Sequence, residues 1–225
     1  MSELLHGDCF DIMSKMETGS VDHVITDPPY SDWTHRNAKT NKSKGGSGIK
    51  LIHFPGWSEG RFLGFVAECV RVADRWTIMT CEHRFAPKAE EGGLPVIRLG
   101  VWVKTNPMPQ ISGDRPGQGH ESVLILHRPT RKRWNGGGRS AVWTTNSTNS
   151  ASIPTEKPLS LICKFIEDFT DPGETILDPC MGSGTVGVAC KRLGREFIGI
   201  EILGDHFEIA RKRIENEHLQ GEMFW

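Results

Sequence analysis

The sequence predicts an α/β fold with a largely parallel sheet covered on both faces. Three observations carry that expectation. Short apolar runs alternate with segments of helical period, one stretch reads strand, glycine loop, helix, strand, and the composition is that of an ordinary globular domain. At 225 residues the chain suits one domain, 1–225, with a core of its own. Hydrophobic residues at 37% and charged residues at 24% exclude wholesale disorder.

The elements follow in chain order. "VDHVIT" (21–26) is a short apolar run halted by Pro28 and Pro29, which lack the N–H that a strand needs. Residues 57–75 place apolar side chains at i, i+3 and i+4, a helix, and "WTIMTC" (76–81) returns to strand. "VIRLGVWVK" (96–104) and "SVLILH" (122–127) have no helical segment between them, so they predict an antiparallel hairpin. Helical spacing resumes at 157–169, 184–194 and 204–218, interleaved with the strands "TILD" (175–178) and "EFIGIE" (196–201). Residues 31–56 and 105–155, the latter interrupted by the 122–127 strand, are polar, basic and without period. They read as loop insertions, and loops of that length inside a domain carry function or are disordered.

No basic segment followed by an apolar run opens the chain, and no apolar stretch reaches membrane-spanning length, so a cytoplasmic protein without membrane contact is expected. Cys9, Cys69, Cys81, Cys163, Cys180 and Cys190 form no C-x-x-C pair, which predicts reduced thiols and no metal site. The net charge of −1 hides a sorting: basic residues gather in 31–61 and 98–139, and the remainder is acidic. Such sorting suggests a polyanionic partner.

In "TILDPCMGSGTVGVACKRLGREFIGIEI", Gly182, Gly184 and Gly187 fit G-x-G-x-x-G, and Glu201 closes the next strand. Glycines admit a nucleotide cofactor to the backbone and a terminal carboxylate takes its ribose hydroxyls; a plain tight βα turn is the alternative. Asp178 decides between cofactors. A pyrophosphate would be repelled by that carboxylate, whereas S-adenosylmethionine carries an ammonium and a sulfonium that it would attract. An NAD site is thereby disfavoured.

Asp27-Pro28-Pro29-Tyr30 ends the first strand and holds the only tyrosine. A strand stop with a cap is its bland reading. Its functional reading employs every residue: Asp27 accepts a hydrogen bond from an exocyclic amine, Pro28 offers a carbonyl whose aim Pro29 stiffens, and Tyr30 presents a face to a planar base.

With both elements in view, the chain resembles the amino-methylating DNA methyltransferases, which use S-adenosylmethionine to modify adenine N6 or cytosine N4, in the permuted branch where D-P-P-Y precedes the glycine loop. "LLHGDCFDIMSKMETGSVDHVITDPPY", "PTEKPLSLICKFI" and "LDPCMGSGTVGVACKRLGREFIGIEI" carry the likeness, which covers most of the chain. It implies a Rossmann-like methyltransferase fold with a mostly parallel seven-stranded sheet, one antiparallel hairpin and circularly permuted motif order. It also implies methyl transfer to adenine N6 in double-stranded DNA, with cytosine N4 as the near alternative. RNA or protein glutamine methylation fits the motif order less well.

The site residues implied are Asp27, Pro28, Pro29 and Tyr30 for catalysis, with Asp8 and Cys9 at the cofactor's adenine. Asp178, Pro179, Cys180, Gly182, Ser183, Gly184 and Thr185 line the loop, with Glu201 on the ribose. Thr155 and Lys157 close the methionine pocket, or else begin a capped helix. Cys180 stands where the family usually has Phe, and Ile153-Pro154 where a His often precedes the T-E-K-P block. No separate target-recognition domain is visible, so DNA contact falls to the loop insertions or to a second subunit in a homodimer. Arg36, Lys39, Lys42 and Lys44 from the first loop, and Arg115, Arg131, Lys132, Arg133 and Arg139 from the second, are the expected phosphate contacts. Gln110, Arg115 and Gln118 have base-reading chemistry.

Overall fold

The computed structural model describes residues 2–37, 55–107, 109, 113–148, 153 and 156–222, with side chains at 35–37 and from 218 onward outside that description. Its strands are β1 (Ser2–His6), β2 (His23–Thr26), β3 (Trp76–Cys81), β4 (Val96–Lys104), β5 (His120–His127), β6 (Val142–Thr145), β7 (Thr175–Asp178) and β8 (Glu196–Glu201). They form one eight-stranded sheet in the order β1-β8-β7-β2-β3-β5-β4-β6. Pairing is parallel from β1 through β3, antiparallel on both sides of β5, and parallel again between β4 and β6. β5 therefore runs against the rest of the sheet, and the predicted hairpin is β4–β5.

The seven strands expected become eight because β6 lies inside the stretch read as loop. Its four residues alternate exposed and buried, with Trp143 and Thr145 facing in. That alternation marks an edge strand with one buried face, too brief to stand out among glycines and charges.

The helices are α1 (Cys9–Met13), α2 (Asp32–Asn37), α3 (Glu59–Val72), α4 (Ala86–Glu91), α5 (Leu159–Phe169), α6 (Thr185–Leu193) and α7 (Gly204–Glu222). They cover both faces. One layer packs Phe165, Ile166, Phe169, Val186, Val188 and Ile214 against Ile25, Ile78, Ile125 and Ile176. The other packs Met13, Phe62, Phe65, Val66, Cys69 and Val72 against Val24, Met79, Leu124 and Leu177. β2 and β3 are buried along their whole length, as strands covered on both sides must be. Ser58 caps α3 by accepting from the Arg61 N–H, which fixes where that helix begins.

Candidate active site

Strand order reverses between β7 and β2. From β7 the chain passes through α6 to β8 on one side, and from β2 through α3 to β3 on the other, so a crevice opens at the carboxyl ends of the strands. The Thr26 hydroxyl donates across it to Asp178 Oδ1 at 2.7 Å. Along the same edge lie Asp8 after β1, Asp27 after β2, Glu82 after β3 and Glu201 at the end of β8. Glu121 joins them from the start of the reversed strand β5.

Asp27 is the centre of the first half of the site. The Thr80 hydroxyl donates to Oδ1, and Lys157 Nζ donates to Oδ2 at 2.6 Å. Lys157 also stands 3.4 Å from Glu121 Oε2 and 5.4 Å from the centre of the Tyr30 ring. Glu121 is held from two sides: Lys104 Nζ is 2.6 Å from Oε1, and the Tyr30 hydroxyl donates to Oε2 at 2.7 Å. Burial raises the Asp27 carboxyl above the usual range, with the Lys157 charge opposing that rise. Burial also works against the Glu121 charge, but Lys157 and Lys104 outweigh it and hold this carboxyl at about 2. Burial, Glu121 and Asp27 together keep the Tyr30 phenol protonated, so it is a donor. A cavity of about 170 Å³ opens beside this cluster, lined by Tyr30, Cys81, His83, Gln118, His120 and Glu121.

Glu82 anchors the chain just beyond Tyr30. Its Oε2 accepts from Ser31 N at 3.0 Å, from Ser31 Oγ at 2.9 Å and from the Thr34 hydroxyl, while Oε1 is buried without a partner. The 31–56 insertion starts and finishes at this point, because Trp57 N donates to Tyr30 O at 3.0 Å and Gly56 N to Asp32 Oδ1 at 3.0 Å. Trp33 lies under the Arg84 guanidinium, 3.5 Å from it.

The second half is the glycine turn. Gly182 and Gly184 have φ of 52° and 79°, the left-handed region, and Gly184 begins α6. Glu201 braces the turn: Oε2 accepts from Gly182 N at 2.9 Å and Oε1 from Leu203 N at 2.8 Å. Arg213 adds a second brace, donating to Ser183 O at 2.7 Å and to Glu156 at 3.0 Å. Gly187 serves packing: a Cβ there would lie 2.5 Å from Ile214 and 2.7 Å from Phe197. Asp178 is buried, and burial pushes its carboxyl up to about 7 although the Thr26 hydroxyl and the Cys180 N–H donate to it. Pro179, Ser183 and Thr185 are buried in the turn, and Cys180 packs against the cluster that contains Cys9. Asp8 caps α1 by accepting from Phe10 N at 2.7 Å, and its Oδ2 is 3.4 Å from Arg61.

These donors and acceptors fit S-adenosylmethionine. A buried carboxylate served only by neutral donors at Asp178 suits a cationic group, and the left-handed turn offers backbone beside it. Thr155 lies outside the described residues. Lys157, expected at the methionine pocket, is paired with Asp27, and α5 has Pro158 at its N-cap position with no side-chain cap.

The basic residues divide between two edges. Arg36 lies in α2 on the catalytic side, while Lys39, Lys42, Lys44 and Gln110 lie outside the described residues. Arg115 is exposed, 3.5 Å from Asp114, in the β4–β5 connection on the catalytic side. Arg131, Lys132 and Arg133, also expected at the phosphates, lie elsewhere. They follow the end of β5, which pairs with the start of β3, so they sit at the amino edge of the sheet, roughly 17 Å of strand away from the site. Arg133 is tied there to Asp171 and to Glu174, at 3.1 Å from the latter, and its carbonyl accepts from Trp76 Nε1 at 2.6 Å. Arg139 is bound to the buried Asp168 and to Gly136 O at 3.0 Å. Both arginines are thus engaged in pairs within the fold.

Sequence reading missed Thr80, Glu82, Lys104 and Glu121. Each is a single residue at a strand end, with no motif around it, and only strand pairing brings them to the segment from Asp27 to Thr34 and its partners. A glutamate at the mouth of the apolar run "SVLILH" was the one available signal.

A family model described as DNA methylase, of the N6/N4 type, matches residues 21–212. The chain belongs to this DNA methylase family. The methylase is 30% identical to the Type II methyltransferase M2.DpnII of Streptococcus pneumoniae over 241 residues, covering 96% of this chain and 90% of that protein. It superposes on the crystal structure of the M1.HpyAVI–S-adenosylmethionine complex with a TM-score of 0.70 and 29% identity, covering 95% and 100% of the two chains. With the cytosine-N4-specific PvuII DNA methyltransferase it shares the fold, at a TM-score of 0.73 and 14% identity over 97% and 92%. The methylase thus has the α/β fold of the S-adenosylmethionine-dependent DNA methyltransferases. Among its described residues, no helix is long and apolar enough to cross a membrane, and no three His, Cys, Asp or Glu side chains gather as a metal site.

Proposed function

We propose that this methylase transfers a methyl group from S-adenosylmethionine to the exocyclic N6 amine of adenine in double-stranded DNA, on a nucleotide turned out of the helix. The observation that carries the reading is Asp27, fixed by Thr80 at the carboxyl end of β2, with its second oxygen held by the Lys157 ammonium. The glycine turn and Asp178 stand on the other side of the same crevice.

When bound, the cofactor supplies an electrophilic methyl on a sulfonium. The chain's own residues prepare the amine. Its lone pair is delocalised into the base, and hydrogen bonds from its two N–H groups to Asp27 and to the Pro28 carbonyl draw the nitrogen toward a tetrahedral, nucleophilic shape. Asp27 remains an acceptor because it is ionised, and it or water takes the surplus proton after transfer. Tyr30, its hydroxyl fastened to Glu121, offers a ring held in one orientation for the base to stack on. The cavity beside Tyr30 is the space for that base. A duplex hides the amine from any such site, which is why the nucleotide must leave the stack.

Asp178 and the Gly182–Gly184 turn would hold the methionine end, Glu201 the ribose and Asp8 the adenine. The 31–56 insertion, rooted at Tyr30 and rich in Lys and Arg, would lie along the phosphates. The relative from Streptococcus pneumoniae is a Type II methyltransferase, which supports a place beside a restriction enzyme. Incubating the protein with S-adenosylmethionine and unmodified DNA, then digesting to nucleosides, tests the reading. N6-methyladenine is expected; N4-methylcytosine would move the target to cytosine, and neither product would overturn the assignment.

A further inference from the structure

We propose that Lys157 is a movable counterion of the target-amine site, and that Glu121, clamped by Lys104 and Tyr30, is the positioning residue that receives it when an amine takes Asp27 Oδ2. The inference rests on the reading above, in which Asp27 accepts the target amine.

The two oxygens of Asp27 are not equivalent. Oδ1 is held by the hydroxyl of Thr80, a short side chain on the neighbouring strand β3. Oδ2 is held at 2.6 Å by an ammonium at the end of a flexible four-carbon stem. In the proposed exchange an incoming N–H takes the place of the ammonium, and Glu121 Oε2, with a second lone pair beside the one that accepts from Tyr30, takes the ammonium in turn. That exchange would strand a buried cation unless a second anion stood within reach, and stranding one charge of a buried pair is strongly unfavourable. Glu121 Oε2 is that anion, already 3.4 Å from Lys157 Nζ. Closing to a charge-assisted bond of about 2.8 Å requires a shift of only about half an ångström.

Glu121 itself has nowhere to go. Lys104 at 2.6 Å and the Tyr30 hydroxyl at 2.7 Å occupy its two oxygens, and the side chain is 12% exposed. The movable member is Lys157, which slides across the Tyr30 ring between two carboxylates. Two lysines and two carboxylates balance before and after, so no proton needs to move with the exchange. The arrangement has a second consequence: the cation favours the ionised form of Asp27, and so an acceptor, until the amine arrives. The titratable groups that face Asp27 are Lys157 from the segment before α5, Glu121 from β5, Tyr30, Cys81 from β3 and Asp178 from β7.

Carboxyl ¹³C NMR of Asp27 in the protein without cofactor or DNA is the direct test, because it reads the site independently of activity. Lys157→Met removes the cation and should move the Asp27 titration to higher pH. Glu121→Gln removes a neighbouring negative charge and leaves Lys157 to Asp27 alone, so it should move the titration to lower pH. General loosening of the site would not give opposite signs, and an unmoved titration in either variant overturns the proposal. Kinetically, Glu121→Gln should lower kcat by about tenfold or more with KM for S-adenosylmethionine nearly unchanged. The double variant should be no slower than Lys157→Met alone; losses that multiply would show that Glu121 acts by another route. Should Glu121→Gln fail to fold, Glu121→Asp, which keeps the charge but draws it back from Lys157, should move the Asp27 titration the same way, and no shift in it overturns the proposal. If Asp27→Ala retains activity, the assignment of Asp27 fails. If Asp27→Ala is inactive while the titrations stand still, only the counterion exchange fails.

Discussion

Two clusters of charge cap opposite edges of one sheet, and they are built to different ends. At the amino edge, Glu174 accepts from Arg75, from Arg133 at 3.1 Å, from His23 at 2.9 Å and from Asp171 N at 2.7 Å. At the carboxyl edge, Asp27 holds one lysine and Asp178 only neutral donors. The first cluster is closed around its carboxylate. The second is less evenly matched, with lysines on Asp27 and Glu121 and no cation on Asp178.

Titration separates the edges in sign. Burial disfavours the Glu174 charge, but the Asp171 N–H, His23 and Arg75 outweigh it and lower the carboxyl below 4.5; burial lowers His23 below 6.5. Folded-state values below the unfolded ones mean stability that is present at neutral pH. It is lost on acidification, first as pH falls below 6.5 and then below 4.5. Asp178 runs the other way. Raised from 3.8 to about 7, it favours the folded state below 3.8, and that contribution fades as pH rises through about 7. Asp27 is raised as well and behaves alike. The amino edge thus supports the fold at neutral pH while two carboxylates of the carboxyl edge weaken it, a cost that a bound cation offsets. Glu121 is the exception at the catalytic edge, because two lysines already neutralise it.

The largest way to break this contrast is Asp27→Ala. Methyl transfer should fall by about a thousandfold or more, since the variant loses an interaction that the reacting amine depends on. Calorimetric binding of S-adenosylmethionine should stay close to that of the parent protein. Joint loss of binding and turnover would make Asp27 a structural residue, like Glu174.

Asp178→Asn sharpens the comparison. Asn keeps an oxygen for the Thr26 hydroxyl and the Cys180 N–H but removes the buried charge. The free protein should become more stable at pH 8, S-adenosylmethionine should bind roughly tenfold or more weakly, and the thermal shift on cofactor addition should lose its rise between pH 6 and 8. A shift that still climbs with pH would place the titrating group elsewhere.

Much of this was legible in the sequence, and the gaps have a common cause. Apolar runs marked β2, β3, β4, β5, β7 and β8, the glycine turn announced β7–α6–β8, and Asp27 to Tyr30 stood out as a motif. β6 did not, because four alternating residues inside a glycine-rich, basic stretch leave almost no pattern. Glu121 and Lys104 escaped because they reach Asp27 through strand pairing, which places Cys81 beside Ser122 and Val103 beside His120. The position of the basic run at 131–133 was legible as well. A chain that leaves an antiparallel strand arrives at the opposite edge of the sheet, so the predicted hairpin already implied that Arg131 to Arg133 face away from Asp27.

A smaller effect is expected at the amino edge itself. Glu174→Ala would leave Arg75, Arg133 and His23 without their shared acceptor, and with Glu174 14% exposed the loss should be about 2 kcal/mol, below the range for a fully buried pair. Thermal or urea unfolding should show it, with the affinity for S-adenosylmethionine unchanged. A fall in cofactor affinity would mean that the two edges are coupled through β7.

The smallest effect belongs to the joint replacement of Arg131, Lys132 and Arg133 by Ala. Phosphate contacts set the slope of log K against log salt, at about 0.9 per contact on duplex DNA. Residues on the far edge release no counterions from DNA held at the crevice, so the slope should not change, and a modest loss of stability from the Arg133 pairs with Glu174 and Asp171 should be the whole result. Replacing Lys39, Lys42 and Lys44 together is the matched control, since their insertion is rooted at Tyr30 and Trp57, and it should lower the slope by about 2 to 3. If the first triple flattened the salt dependence and the second did not, the duplex would have to wrap around the sheet to the amino edge, and the division of labour between the edges would fail.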